Sequence, residues 1–408
     1  MIIEDGVATL ELGDCIEAMR EMPENSIDSI VTDPPYGLVK QPDIRKVLEH
    51  WLKGESFGGS EKGFMGKTWD SFVPGPGYWE EVYRVLKPGG HLLSFAGTRT
   101  VDLLGIALRF GGFEIRDTLM WVYGSGFAKS KNISKAIDEF YGAERPVIGR
   151  KKSSLGGTVD AGERDEGKIQ KHRTRYHDVT GPATPEAQKW NGWGTGLRPS
   201  WEPIILSRKP IERNVVQNIL KWGTGGMNLS ECNIPGGDTK NPSAASFVNG
   251  GRLPINLVHS GEPEVEALFP RGAHESTSRF FYFAKPSETD RTEGLDELRS
   301  RYANTAEGQT VYHPTVKPTT LMRYLVRLVT PAGGTVLDPF MGSGSTGKAA
   351  VLEGFRFVGI EQDELFVEMS KARIQYAVEN RDEIIRRLNG ESSESLKHQT
   401  KSRKPKLF

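Results

Sequence analysis

The run from Val336 to Ala350, VLDPFMGSGSTGKAA, constrains the fold more than any other stretch of the chain. A short apolar strand passes directly into a glycine-rich turn and then into a helix, the junction from which helix-covered parallel sheets are built. The same alternation recurs on both sides of it. ATLELGD predicts a strand, CIEAMREM a helix and SIDSIVT a second strand, which ends at Asp33-Pro34-Pro35-Tyr36. After a glycine-rich, aperiodic stretch from 37 to 77, YWEEVYRVL resumes a helical pattern that Lys87-Pro88-Gly89-Gly90 stops before the apolar strand HLLSFAG. DTLMWVYG and WEPIILSRK read as two further strands, and FRFVGIE as the strand after the glycine turn. The expected class is therefore α/β, with Leu321, Tyr324, Leu325, Leu328 and Val329 forming the apolar face of a helix that leads into TVLDPF.

The glycines of that turn fit more than one ligand. Gly342, Gly344 and Gly347 spell the G-x-G-x-x-G of dinucleotide sites, while Gly342 to Lys348 spells most of a P-loop. The ATP reading fails at Ala349, where a P-loop needs Ser or Thr to hold magnesium. The NAD reading has the acid it needs, because Glu361 ends the next strand 361 − 342 = 19 residues beyond Gly342. Against it stands Asp338, a carboxylate at the strand tip where a pyrophosphate would have to pass. A nucleoside bearing an ammonium and a sulfonium suits that carboxylate better than a phosphate does.

Composition narrows the remaining classes. The 408 residues are 37% hydrophobic and 26% charged, enough for one substantial core and an added domain. Neither a secretory leader nor an apolar run of membrane-spanning length is evident, so a cytoplasmic protein without a membrane partner is expected. Cys15 and Cys232 stand far apart without clustered His partners, which supports neither a disulfide nor a metal site. Lys plus Arg and Asp plus Glu each total 53, so any surface for a polyanion must be local. One such patch exists: from Arg145 to Arg175, nine Lys or Arg stand against four acids.

The chain resembles the DNA amino-methyltransferases that act on adenine N6 or cytosine N4. The resemblance rests on DPPY at 33–36, HPTVKP at 313–318 and DPFMGSGST at 338–346. The DPPY half precedes the cofactor half, the order of the family's beta group. What the resemblance implies is a permuted S-adenosylmethionine-dependent methyltransferase fold, a seven-stranded mixed sheet with helices on both faces, plus an α+β target-recognition insertion. The expected division is a catalytic half at 1–141, a polar basic insertion at 142–199 and a returning core strand at 200–212. A target-recognition region at 213–312, a cofactor half at 313–385 and a charged tail at 386–408 complete it. ATLELGD would lie at the sheet edge beside FRFVGIE, so both ends of the chain would build one pocket.

By the same resemblance, Asp14 and Cys15 flank the adenine of S-adenosylmethionine, Glu361 binds its ribose, and Phe340 with Gly342, Ser343 and Gly344 wraps its methionine. Thr315 and Lys317 meet its carboxylate, and Asp338 faces its ammonium. Asp33, Pro34, Pro35 and Tyr36 are the catalytic set: the Asp33 carboxylate and the Pro34 carbonyl accept the two hydrogens of the target amine, Pro35 stiffens the strand exit, and Tyr36 stacks on the extruded base. No metal is needed. A cytosine-carbon mechanism is excluded on residue grounds, since Cys15 follows Asp14 and Cys232 follows Glu231, where that chemistry uses Pro-Cys. Duplex DNA is the expected partner, with a cognate restriction enzyme and a homodimer compatible with the family. Asp at position 33 favours adenine over cytosine. Two assignments stay open: Trp190, Trp193, Trp201 and Trp222 either anchor loops or stack on bases, and the basic segment either tracks phosphates or is a solvated loop.

Overall fold

The computed structural model describes residues 1–3, 6–37, 42–55, 57, 72–123, 130–152, 176–235, 251–267, 283–303, 311 and 313–389. In chain order its strands are β1 (Ile2–Ile3), β2 (Ala8–Leu12), β3 (Ile27–Thr32), β4 (Leu86–Phe95), β5 (Glu114–Val122), β6 (Val147–Lys152) and β7 (Tyr176–Thr180). They continue with β8 (Trp201–Arg208), β9 (Ile234–Pro235), β10 (Gly251–Arg252), β11 (Leu257–His259), β12 (Thr335–Asp338) and β13 (Arg356–Glu361). The chain divides into two compact units, one formed by Met1–Ser125 with Ser200–Phe408 and the other by Gly126–Pro199.

The larger unit is built on a nine-stranded sheet in the order β1-β2-β13-β12-β3-β4-β8-β5-β11. The seven inner strands are the ones expected; the short β1 and β11 extend the two edges. β2 pairs in parallel with β13, so the ATLELGD strand does stand beside FRFVGIE. β13, β12, β3 and β4 continue in parallel, whereas β8 runs antiparallel between β4 and β5. Within the stretch 213–312, Leu257–His259 is an edge strand of this sheet, parallel to β5. RFFYFAK lies mostly outside the described residues, as does the tail from 390 onward.

Burial explains why the inner strands read so clearly. Every residue of β3 is buried, which is what a central parallel strand covered by helices on both faces requires. The helix Thr319–Val329 packs on the sheet with Leu321, Met322, Tyr324, Leu325, Val326, Leu328 and Val329 all buried. On the opposite face Trp79, Val82 and Val85 of the helix Pro76–Val85 join Leu103, Leu104, Ala107 and Leu108 of the helix Val101–Phe110. Among the described residues no helix is long and apolar enough to cross a membrane.

The smaller unit begins before residue 142, and Asp138 supplies the reason. Its buried carboxylate, on the helix Ile133–Phe140, accepts from the Ala183 N–H, the Thr184 N–H, the Thr184 hydroxyl and the Arg145 guanidinium. The helix is thereby pinned to the start of a second one, Pro185–Lys189, and belongs with the insertion. β6 and β7 form an exposed antiparallel pair in the same unit, where Arg150 is bonded to Asp178 at 2.9 Å. The remaining basic positions from Arg164 to Arg175 lie outside the described residues. Trp190 and Trp193 meet edge to face at 5.1 Å and stay partly exposed.

Candidate active site

In a parallel sheet, ligands gather beyond the carboxyl ends of the strands. Here the tips of β3, β12 and β13 bring Asp33, Asp338 and Glu361 to one end, although Asp33 stands 338 − 33 = 305 residues before Asp338 and Glu361 another 361 − 338 = 23 beyond it. β4 and β5 end on the same side, and β8, being antiparallel, starts there. Its second residue, Glu202, therefore enters the site opposite Trp121 of β5.

The centre of the site is an ionic cluster. The Lys317 ammonium lies 2.9 Å from Asp33 Oδ2 and 3.0 Å from Glu202 Oε2. The Tyr36 hydroxyl is 2.7 Å from Asp33 Oδ1 and 3.2 Å from Glu202 Oε2. A phenol has one proton, so the shorter contact marks Asp33 as its acceptor. Lys317 also donates to the Tyr36 oxygen at 3.2 Å, and the Tyr123 hydroxyl donates to Glu202 Oε1 at 3.2 Å. The Thr100 hydroxyl holds the Tyr36 carbonyl at 2.7 Å, fixing the turn after the two prolines. Burial raises the Asp33 carboxyl above its ordinary range; the Lys317 charge opposes that, and the neighbouring Glu202 adds to it. Burial pulls the Lys317 ammonium down, but the Asp33 and Glu202 carboxylates outweigh it and hold it above its usual value.

A second group surrounds the glycine turn. Asp338 is 2% exposed and accepts from the Thr32 hydroxyl at 2.7 Å and from the Phe340 N–H at 3.2 Å. Burial lifts its carboxyl to about 7, against the hydrogen bonds of Thr346, Thr32 and Phe340. Glu361 Oε2 accepts from the Gly342 N–H, and its Oε1 from the N–H groups of Gln362 and Asp363, each at 2.9 Å. The Glu361 carbonyl receives the Gly13 N–H, which brings Asp14 and Cys15 to the same strand tip. Asp14 caps the helix Cys15–Glu21 through the N–H groups of Ile16 and Glu17. Burial, with Asp14 beside it, pushes the Cys15 thiol up to about 12, which disfavours the thiolate.

The turn itself leaves no room for side chains. Gly344 has φ +73°, and a Cβ there would lie 2.7 Å from that of Ser370; one on Gly342, φ +49°, would lie 2.9 Å from His313 Nε2. His313, from the HPTVKP segment, is thus the floor of the loop, its ring set edge-on against Phe366. Ser343 is buried with its hydroxyl 3.1 Å from that of Ser345, which in turn accepts the Lys317 N–H at 3.3 Å. Thr315 is exposed and bonded through its N–H to His313 Nδ1. Lys348, the lysine of the P-loop look-alike, is buried behind the loop against Glu293 at 2.5 Å, turned away from any phosphate in front.

Of the residues named from sequence, the structure gathers Asp33, Tyr36 and Lys317 in one cluster and Asp14, Cys15, Asp338, Phe340, Gly342, Ser343, Gly344 and Glu361 around the turn. The Lys317 ammonium pairs with Asp33 and Glu202. Sequence reasoning missed Glu202, Tyr123 and Tyr78. Glu202 carried a signal, a lone acid in the apolar strand WEPIIL. Tyr78 carried none, being one more aromatic on a helix. Its ring stacks on Phe340 at 4.9 Å, and its buried hydroxyl has no partner among the described residues. Among the described residues no group of three or more His, Cys, Asp or Glu is placed to hold a metal. The donor set (three carboxylates, two stacked aromatic rings and an orphaned phenol) fits a cationic nucleoside and disfavours a diphosphate.

The sequence matches the N6_N4_Mtase family of DNA methylases over residues 27–372. It is 23% identical to the type II methyltransferase M.HindIII of Haemophilus influenzae over 376 residues, 86% of this chain and 89% of the relative. A shorter match, 46% identical over 61 residues, is to the type II methyltransferase M2.MboI of Moraxella bovis and covers 15% of this chain and 22% of that one. Among solved structures, the cytosine-N4-specific PvuII DNA methyltransferase aligns with a TM-score of 0.44 at 14% identity, covering 94% of each chain. The M1.HpyAVI complex with S-adenosylmethionine aligns with a TM-score of 0.41 at 15% identity, covering 90% of this chain and 98% of that one. Motif order, sheet topology and a family match across most of its length agree, and the chain belongs to the N6/N4 DNA methylase family of DNA methyltransferases.

Proposed function

We propose that the protein transfers the methyl group of S-adenosylmethionine to the exocyclic N6 amine of adenine in duplex DNA. One observation carries the reading: Thr32 bonds Asp338 while its neighbour Asp33 faces the Tyr36 and Lys317 cluster. An acid suited to the donor's ammonium and an acid suited to the target amine therefore sit at adjacent strand tips. When bound, S-adenosylmethionine supplies an activated methyl group on sulfur. Everything else is asked of the chain.

Asp338 and Glu361 would face the donor's ammonium and ribose, Asp14 and Cys15 would flank its adenine, and Phe340 with Tyr78 would pack against it. An exocyclic amine is a weak nucleophile because its lone pair is delocalised into the base. Asp33, with the Pro34 carbonyl, accepts the amine's hydrogens, favours the pyramidal geometry and later takes the proton that leaves. Of the four acceptor positions on the Asp33 carboxylate, Tyr36 and Lys317 use two, which leaves capacity for an amine N–H. Tyr36 presents its ring to the extruded base. Binding both reactants at neighbouring strand ends supplies the orientation that a two-molecule encounter lacks.

The preference for adenine rests on Asp at position 33; cytosine N4 presents the same amine chemistry and is the competing product. Asp33→Ala should abolish methyl transfer to duplex DNA while calorimetry finds donor affinity within about twofold of the parent, since Asp33 does not face the donor. Near-normal turnover of Asp33→Ala would end the amine-acceptor role.

A further inference from the structure

Glu202 has no part in the reading above, yet it touches three members of the cluster. It shares the Lys317 ammonium with Asp33, lies 3.2 Å from the Tyr36 hydroxyl and receives the Tyr123 hydroxyl. The Asp33 and Glu202 side chains are 21% and 22% exposed and that of Lys317 9%, so water screens these charges only in part. Two carboxylates and one ammonium sum to −1. With Lys317 and Asp33 alone, the sum would be zero.

That difference matters because of what methyl transfer does to charge. The amine nitrogen forms a bond to the methyl carbon while the carbon–sulfur bond breaks and leaves its electron pair on sulfur. Positive charge thus moves onto nitrogen until one of its protons passes to Asp33. A site of net charge −1 favours that movement, and a neutral ion pair gives it little help. We propose that Glu202 is a positioning residue that balances the charge of Lys317, so that Asp33 meets the target amine with an unneutralised negative charge. Lys317 in turn lies between the two carboxylates and attracts both, and the Tyr36 hydroxyl donates to Asp33. The proposal rests on Asp33 as the amine acceptor.

The test is a single-turnover methylation assay with donor and DNA both saturating, with donor affinity measured separately by calorimetry. Glu202→Gln should slow transfer by about tenfold to a hundredfold, within the range known for removal of one electrostatic partner, and leave donor affinity unchanged. Glu202→Asp, which keeps the charge, should stay within about threefold of the parent. The decisive variant is the double one: Glu202→Gln with Lys317→Met restores a net charge of −1 and should be faster than Glu202→Gln alone. A merely structural Glu202 predicts the opposite, a double variant as slow as or slower than either single one. That result, or parental rates in Glu202→Gln, overturns the proposal. If Asp33→Ala is inactive in the same assay while Glu202→Gln is unaffected, only the charge-balance proposal falls; if Asp33→Ala remains active, the reading beneath it falls.

Discussion

Asp338→Asn tests the cofactor site through a conflict between stability and binding. Burial lifts the Asp338 carboxyl from its ordinary 3.8 to about 7. At about 1.36 kcal/mol per pH unit, the charged form is roughly 4 kcal/mol less stable in the fold than in the unfolded chain. The folded state holds this proton more tightly, so the group costs nothing below about pH 4, its penalty grows as pH rises, and the full cost applies above about pH 7. Asparagine keeps an oxygen for the Thr32 hydroxyl and the Phe340 N–H but carries no charge. Allowing about 1–2 kcal/mol for weaker hydrogen bonds, the variant without donor should be about 2–3 kcal/mol more stable than the parent at pH 8 and equal to or below it at pH 4. Urea unfolding across that range measures this. Donor affinity at pH 8 should fall by tenfold or more, because the ammonium loses its counter-charge. A variant that is less stable at pH 8, or that binds the donor as tightly as the parent, would refute the reasoning.

Tyr78→Phe removes a buried hydroxyl that has no partner among the described residues. The free protein should melt no lower than the parent, while the demethylated donor product should bind about twofold to tenfold more weakly, the worth of one neutral hydrogen bond; a lower melting temperature with unchanged binding would assign the hydroxyl a structural partner. Gly347→Ala places a Cβ 2.4 Å from Ile374 Cδ1 and 2.6 Å from Phe357 Cε1. It should lower unfolding stability by about 1–3 kcal/mol in urea, and an unchanged midpoint would show that the helix after the turn is not held that closely to the sheet.

The parts of this site legible in the sequence are those that one chain segment completes by itself. DPPY, the glycine turn and HPTVKP each join a strand end or helix start to a chemical group within a few residues, and hydrophobic periodicity places those ends. Glu202 stood out only as a lone acid in an apolar strand, and its place depends on direction: WEPIILSR reads as a strand, but only its antiparallel insertion between β4 and β5 brings its first residues to the active end. Lys317 was assigned to the donor from its motif, and its pairing with Glu202 spans 115 residues that no local pattern connects. No element is expected from the sequence over Ile133–Phe140. Asp138 is fully buried there, bonded to Arg145 and Thr184, and an acid on the inward face obscures the helical pattern.

The central claim is amino-methylation of adenine, and its product is the most direct evidence. Duplex DNA treated with the purified protein and S-adenosylmethionine, then digested to nucleosides and resolved by mass spectrometry, should yield N6-methyldeoxyadenosine, and Asp33→Ala should yield none. N4-methyldeoxycytidine as the only product would contradict the choice of base and show that Asp at position 33 does not select adenine, whereas unmodified DNA from folded, donor-bound protein on substrates of varied sequence would contradict the assigned reaction itself.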